Sequence, residues 1–204
     1  SRALVFDAHG ATVARALREL REFHPRPDWV EQDPEELVAS LLEASREVER
    51  DLGAAAARIV AVGLATQRSS MLCWDRISGE PLSPVLSWLD RRAHAWLARF
   101  APHAEAVHAT TGLMLSAHYG ASKMRWCLDH LPRVAEAAAE KRLAIGPLAS
   151  FLTFRLTEER SFVADPANAA RTLLWSPKTL GWDEGLLHLF DIPRAVLPDC
   201  VPNR

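Results

Sequence analysis

Arg58-Ile59-Val60-Ala61-Val62-Gly63-Leu64-Ala65 runs directly into Thr66-Gln67-Arg68-Ser69-Ser70, and then into Met71-Leu72-Cys73-Trp74-Asp75-Arg76. The first block is continuously apolar rather than alternating. Coming after a helical segment, such a run predicts a strand buried on both faces of an α/β sheet. The polar residues at its end fall where open α/β sheets bind their ligands, which makes Arg68 the first candidate for a functional side chain.

Upstream, Asp33-Pro34-Glu35-Glu36 has the marks of a helix start: an N-cap carboxylate, a proline at the first helical position and acidic residues in the first turn. Leu37, Val38, Leu41, Leu42, Ser45 and Val48 recur at helical spacing, and Gly53 closes the helix. Before it, Ala3 to Asp7, the His9-Gly10 turn and Thr12 to Leu20 predict a hairpin, although the arginine-rich second arm is also compatible with a helix. Downstream, Met71 to Trp74 and Val85 to Trp88 predict two more strands around a polar turn with Gly79 at its tip. From Asp90 onward the chain is alanine-rich. Helices are predicted over Asp90 to Phe100, Pro102 to Ala109, Ser122 to Leu131, Pro132 to Arg142, Ser150 to Leu156 and Asp183 to Phe190, with Thr172 to Trp175 as a returning strand. Strands come first and a mostly helical half follows.

Composition narrows the function classes. The 204 residues are 49% hydrophobic and 25% charged, which excludes disordered and collagen-like chains and supplies enough apolar surface for one large domain or two small ones. A net charge of −2 gives no electrostatic footprint for nucleic acid or anionic lipid. No apolar run approaches the roughly 20 residues that span a bilayer. The sequence opening Ser1-Arg2-Ala3-Leu4 has the features of neither a signal nor a transit peptide. Cys73, Cys127 and Cys200 are odd in number and widely spaced, which argues against a disulfide framework or a zinc knuckle and for reduced thiols in the cytoplasm. The histidines form no H-x-x-x-H pair, so no metal site is expected, and no P-loop, G-x-G-x-x-G or G-x-S-x-G occurs.

Five blocks in the same order carry a resemblance. Val62 to Arg76, continuing through Ser78-Gly79-Glu80-Pro81-Leu82 to Ser87-Trp88-Leu89-Asp90-Arg91-Arg92, resembles the FGGY carbohydrate kinase family, and within it the glycerol kinase branch most closely. Pro27-Asp28-Trp29-Val30-Glu31-Gln32-Asp33-Pro34 is similar to the family's "GWVEHDP" entry to its first helix. Thr111-Gly112-Leu113 through Ala121-Ser122-Lys123-Met124-Arg125-Trp126 is similar to "TGL…SASKLRW". Asp165 to Leu174 matches "D-x-S-N-A-S-R-T-L-L", and Trp182 to Pro198 matches "WDEELLELFGIPRSMLPEV".

The resemblance implies a ribonuclease H-like α/β domain of the actin/hexokinase ATPase type, with a largely helical second half. It also implies ATP-dependent phosphorylation of a polyol or sugar hydroxyl, with Mg²⁺ on the nucleotide. In that chemistry the protein mainly positions the acceptor in line with the γ-phosphorus. Residues 1–204 then correspond to the N-terminal, acceptor-binding domain, incomplete at both ends. The family's phosphate-cradling first strand, "D-x-G-T-T-S", is represented only by Ser1 and Arg2, and a strand that would be central in the sheet is missing, leaving its neighbours unpaired. The family's catalytic aspartate, in "G-D-Q-x-A-A", is expected beyond Arg204, so no catalytic base is expected here.

The resemblance also assigns residues. Arg68 occupies the acceptor-contacting arginine; the alternative is a structural salt bridge. Ser69 stands where glycerol kinases carry a glutamate, a departure that points to another acceptor. Trp88 falls at a substrate-stacking tryptophan or, alternatively, in the core. His118 takes the place of an acceptor-contacting tyrosine, or is an exposed loop histidine. Gln67 is a neighbouring contact or satisfies backbone at the strand end. Arg2 matches an arginine near the nucleotide phosphates. Asp90 either orients Arg91 or Arg92 or, the favoured expectation, caps the following helix. Asp165 is expected to cap a short turn that Asn168 and Arg171 hold, rather than to act as the base.

The expected function is therefore the acceptor-binding half of a cytoplasmic polyol or sugar kinase using ATP and Mg²⁺. No nucleic-acid or membrane partner is expected, and a homo-oligomer is left open. A ketopentose kinase is the alternative substrate class, against which stands the lack of the Met-His pair that xylulose kinases show near Arg68-Ser69. A non-catalytic remnant binding a polyol or a protein partner is the alternative from another class. A purely structural helical module is the third.

Overall fold

The computed structural model describes residues 1–203. Strand β1 (Arg2–Phe6) pairs antiparallel with β2 (Thr12–Leu17), from Arg2 opposite Leu17 to Phe6 opposite Thr12. Asp7 builds the turn: its Oδ1 accepts from the amides of His9 at 2.8 Å and Ala11 at 2.9 Å, and Gly10 supplies φ +81°. The second arm is thus a strand, ending at Leu17 rather than Leu20. After β3 (Glu31–Gln32) comes α1 (Pro34–Leu52), begun as its sequence dictates. Asp33 Oδ1 accepts from the amides of Glu35 at 2.8 Å and Glu36 at 3.3 Å, and Gly53 ends the helix at φ +52°. Ala44 and Val48 of α1 pack on Ala16 of the hairpin.

The central sheet has the order β3-β5-β4-β6, formed with β4 (Met71–Asp75), β5 (Val85–Leu86) and β6 (Leu143–Pro147). All its pairings are antiparallel, and β4 and β6 run together from Met71 opposite Pro147 to Asp75 opposite Leu143. Alternation along β4 feeds two cores. Leu72 and Trp74 face α1 and α6 (Leu148–Leu156), where the Trp74 ring meets those of Phe151 at 5.6 Å, Phe154 at 6.1 Å and Phe162 at 5.5 Å. Met71 and Cys73 face the larger core made by α2 (His94–Ala98), α3 (Ala104–Thr111), α4 (Gly120–His130) and α5 (Pro132–Ala139). The chain then runs through β7 (Val163–Ala164), α7 (Pro166–Ala169), β8 (Trp175–Ser176), β9 (Gly181–Trp182), α8 (Glu184–Leu189) and β10 (Asp199–Cys200).

Three expectations need correction. Residues 58–65 do not form a buried strand. A 3₁₀ turn over Gly53–Arg58 leads into irregular chain, and Val60 and Val62 are 98% and 91% exposed. An apolar run becomes a strand only where its amides and carbonyls find a ladder partner, and no described strand lies against it. The buried central strand is β4, and its neighbour β6 fills a stretch between two expected helices for which no element is expected. The returning strand begins at Trp175 rather than Thr172, because Leu173 takes a left-handed backbone, φ +65°.

Candidate functional site

The polar residues between the 58–65 run and β4 turn sharply: Ser69 sits at φ +69°, and both Ser69 and Ser70 are buried. Ser70 anchors two neighbours. Its Oγ accepts from the Trp88 amide at 3.0 Å and its carbonyl accepts from the Leu148 amide at 3.0 Å. Ser69 is held from below by Lys123 of α4, whose side chain is almost wholly buried. The Nζ donates to the Ser69 carbonyl at 3.1 Å and to the His118 carbonyl at 2.6 Å, tying the strand-end turn to the loop that leads into α4.

A glycine makes this junction possible. A Cβ on Gly120 would stand 3.0 Å from Met71 Sδ and 3.2 Å from Thr172 Cα. Its absence lets the first turn of α4 lie against both β4 and the Ala170–Thr172 turn, and so brings His118 beside Arg171. Arg171 NH2 lies 3.1 Å from His118 Nε2, its Nε donates to Ser69 Oγ at 3.4 Å, and its guanidinium lies over the Tyr119 ring at 4.7 Å. The Trp88 ring meets His118 edge-on, 5.6 Å between centroids, and is 40% exposed. The result is a partly exposed cluster of an aromatic face, an imidazole and a guanidinium over a buried hydroxyl.

Electrostatics fix the protonation of the imidazole. Burial, with the charges of Lys123 and Arg171 beside it, holds His118 below the usual histidine range. Since a guanidinium can only donate, the neutral ring accepts through Nε2 and carries its proton on Nδ1. Burial also brings the Lys123 ammonium down to about 7, against the opposing pull of Asp90.

Asp90 holds the Trp88 loop. Its Oδ2 accepts from the Val30 amide at 2.7 Å, and Arg92 donates to both carboxylate oxygens. Arg92 also reaches Glu31 at 2.7 Å, and its guanidinium lies between the rings of Trp29 at 3.8 Å and Trp126 at 4.6 Å. The favoured capping role for Asp90 is overturned, since α2 starts at His94 with Ala93 as its N-cap. The carboxylate is spent on orienting Arg92 instead.

Ser69, Trp88 and His118 are therefore brought together. Trp88 is not a core residue, and His118 is half-buried. Arg68 precedes Ser69 in the chain, is exposed, and among the described residues forms no ion pair. Gln67 donates to the Gln32 side-chain carbonyl rather than to backbone. Arg2 is exposed on β1, with no side-chain hydrogen bond to the cluster among the described residues. Asp165 caps α7, accepting from the amides of Ala167 at 2.9 Å and Asn168 at 3.1 Å, and Asn168 Nδ2 donates to it at 2.7 Å. Arg171 is the exception in that block: it leaves the turn and reaches the pocket. Sequence reasoning also passed over Lys123 and Tyr119, although a lysine three residues after a glycine in a helix bearing a buried apolar face was a signal.

Among the described residues, no grouping of three or more His, Cys, Asp or Glu side chains could hold a metal ion. Among the described residues, no helix is long and apolar enough to cross a membrane.

Comparison with known proteins gives the family and the fold. The sequence model of the FGGY family of carbohydrate kinases, N-terminal domain, matches residues 1–204. A glycerol kinase of Verminephrobacter eiseniae is 42% identical over 205 residues, covering all of this chain and 40% of that protein. One from Delftia acidovorans is 41% identical, covering all of this chain and 41% of that protein. The crystal structure of Plasmodium falciparum glycerol kinase with ADP superposes with a TM-score of 0.89 at 27% identity, over 98% of this chain and 40% of that one. The xylulose kinase of Rhodospirillum rubrum, at 23% identity and a TM-score of 0.88 over 98% of this chain and 41% of that one, shares the fold. The fold is thus the mixed α/β, actin/hexokinase-like one of these kinases. The chain spans about two-fifths of the length of the curated relatives it matches.

Proposed function

Because the chain belongs to the FGGY family of carbohydrate kinases, we propose that residues 1–204 form the acceptor-binding part of an enzyme that transfers a phosphoryl group from ATP to a hydroxyl of a small polyol or sugar. The observation that carries this reading is the convergence of Trp88 and His118 over the Ser69 turn, pinned from beneath by Lys123.

Each group has a task in that reaction. The exposed face of Trp88 packs against the C–H face of the acceptor. Arg68 donates from its planar fork to neighbouring hydroxyls. His118, neutral with its proton on Nδ1, offers a further hydrogen bond without adding charge. Lys123 and the Asp90–Arg92 pair touch no acceptor; they keep the turn and the Trp88 loop in register, which matters because in-line transfer depends on placing the hydroxyl. ATP supplies the phosphoryl group, with Mg²⁺ on its phosphates. The base is not drawn from this cluster, whose carboxylate, Asp90, is committed to Arg92 and the Val30 amide. Cytoplasmic placement agrees with the free thiols of Cys73, Cys127 and Cys200.

The test is ADP release by the full-length protein across a panel of polyols and sugars. Phosphorylation of at least one acceptor is expected, with KM raised roughly tenfold or more by Trp88→Ala, given the worth of a buried aromatic contact. No ADP release with any acceptor, while a polyol still binds, would replace this reading with that of a non-catalytic binder.

A further inference from the structure

The cations at the pocket have no anion of their own. Arg171 uses two of a guanidinium's five N–H donors, on a hydroxyl oxygen at 3.4 Å and an imidazole nitrogen at 3.1 Å. Among the described residues no carboxylate lies within ion-pairing distance of it or of the exposed Arg68, although every other half-buried arginine described here has one. Arg18 pairs with Glu47, Arg92 with Asp90, Arg125 with Asp129, Arg142 with Asp75 and Arg155 with Glu35. Lys123 lies between the same two loops, and its anionic neighbour, Asp90, is already neutralised by Arg92. A half-buried guanidinium held by neutral partners is an unusual expense in an interior where charges are otherwise matched. The guanidinium lies against Ser69, His118 and the Tyr119 ring, and the His118 ring meets Trp88.

We propose that the acceptor is an acid: a polyol or sugar bearing a carboxylate, which Arg171 receives in a paired fork while Trp88 and Arg68 take the hydroxylated remainder. A planar carboxylate matches the planar fork, and the charge-assisted bonds replace the water that solvates both groups in the free state. Ser69 is part of the selection. Serine brings no charge to the guanidinium, whereas an acidic side chain there would pair with it and take the anion's place. This inference rests on the acceptor-binding reading above and names its substrate class.

Matched pairs separate the two. Glycerol and glycerate, erythritol and erythronate, ribitol and ribonate, and glucitol and gluconate are titrated into the full-length protein by calorimetry, and each is assayed for ADP release. The acid of at least one pair is expected to bind about tenfold to a hundredfold tighter than its neutral partner, the range of one or two charge-assisted hydrogen bonds. Arg171→Gln collapses that ratio. Ser69→Glu collapses it too by supplying a carboxylate from the chain, and keeps the guanidinium in place should the Arg171 variant fold poorly. Neutral acceptors bound as well as or better than their acids, or an acid preference that survives both variants, overturns the inference. ADP release with neutral acceptors in that case leaves the kinase reading standing. Acid binding with no ADP release from any pair sinks the kinase reading alone.

Discussion

Two apolar runs lie on either side of the Ser69 turn, and they meet opposite fates. Met71–Asp75 is buried at every position, laddered to Leu143–Pro147 and faced by two cores. Residues 59–65 are as apolar, yet Val60 and Val62 stand in solvent. The difference lies in pairing, not composition. β4 has partners on both edges and aromatic rings above Trp74, whereas no described strand lies along 59–65. An apolar run states a demand for a partner; whether it is met is decided elsewhere in the chain.

The largest test of this contrast is Trp74→Ala. Removing a fully buried indole from among three phenylalanines should cost about 3–5 kcal/mol, read as a fall in the denaturant midpoint, and a cost near 1 kcal/mol would mean the ring carries little of the core. Next comes Lys123, beneath the turn that joins the two runs. Folded, it titrates near 7; unfolded, near 10.4. Between those values the unfolded chain binds more protons, so this lysine's contribution makes stability rise with pH by up to about 1.4 kcal/mol per unit. Denaturation series from about pH 7.5 to 9.5 should show that slope reduced in Lys123→Met, and equal slopes would contradict it.

A pair of glycines sharpens the comparison further. Gly120→Ala forces a methyl to within 3.0 Å of Met71 Sδ and should cost about 1–3 kcal/mol, while Gly63→Ala, with nothing within 4 Å, should change stability by less than about 1 kcal/mol and in the favourable direction. The smallest effect belongs to Val60→Lys and Val62→Lys, expected within about 0.5 kcal/mol. A loss well above that in the full-length protein would show the run to be covered there.

What could be read from the sequence follows the same division. The start of α1 was legible because Asp33, Pro34, Glu35 and Glu36 each act locally on the first turn. The hairpin was legible from His9-Gly10. β6 was not: Leu143-Ala144-Ile145-Gly146-Pro147 is short, three of its five residues are small or strand-averse, and it follows a helix, so only its partner β4 makes it a strand. Ser69, Trp88 and His118 could be found by resemblance. Arg171 could not be assigned correctly from its own block, because Asp165 and Asn168 account for that turn and the arginine follows directly on it in sequence. Its direction depends on Gly120 letting α4 approach, a fact of packing between segments far apart in the chain.

The left-handed backbone of Ser69 has an evolutionary consequence. A side chain branched at Cβ is strongly disfavoured at such a φ, so valine, isoleucine and threonine are poor choices at this position beside Arg171. The routes by which this pocket can change its clientele are correspondingly few. Mutational drift there is channelled toward glycine, asparagine, serine and unbranched acidic or amide side chains. A library that samples position 69 evenly would waste much of its diversity, whereas one confined to those residues would explore nearly every pocket this backbone can support.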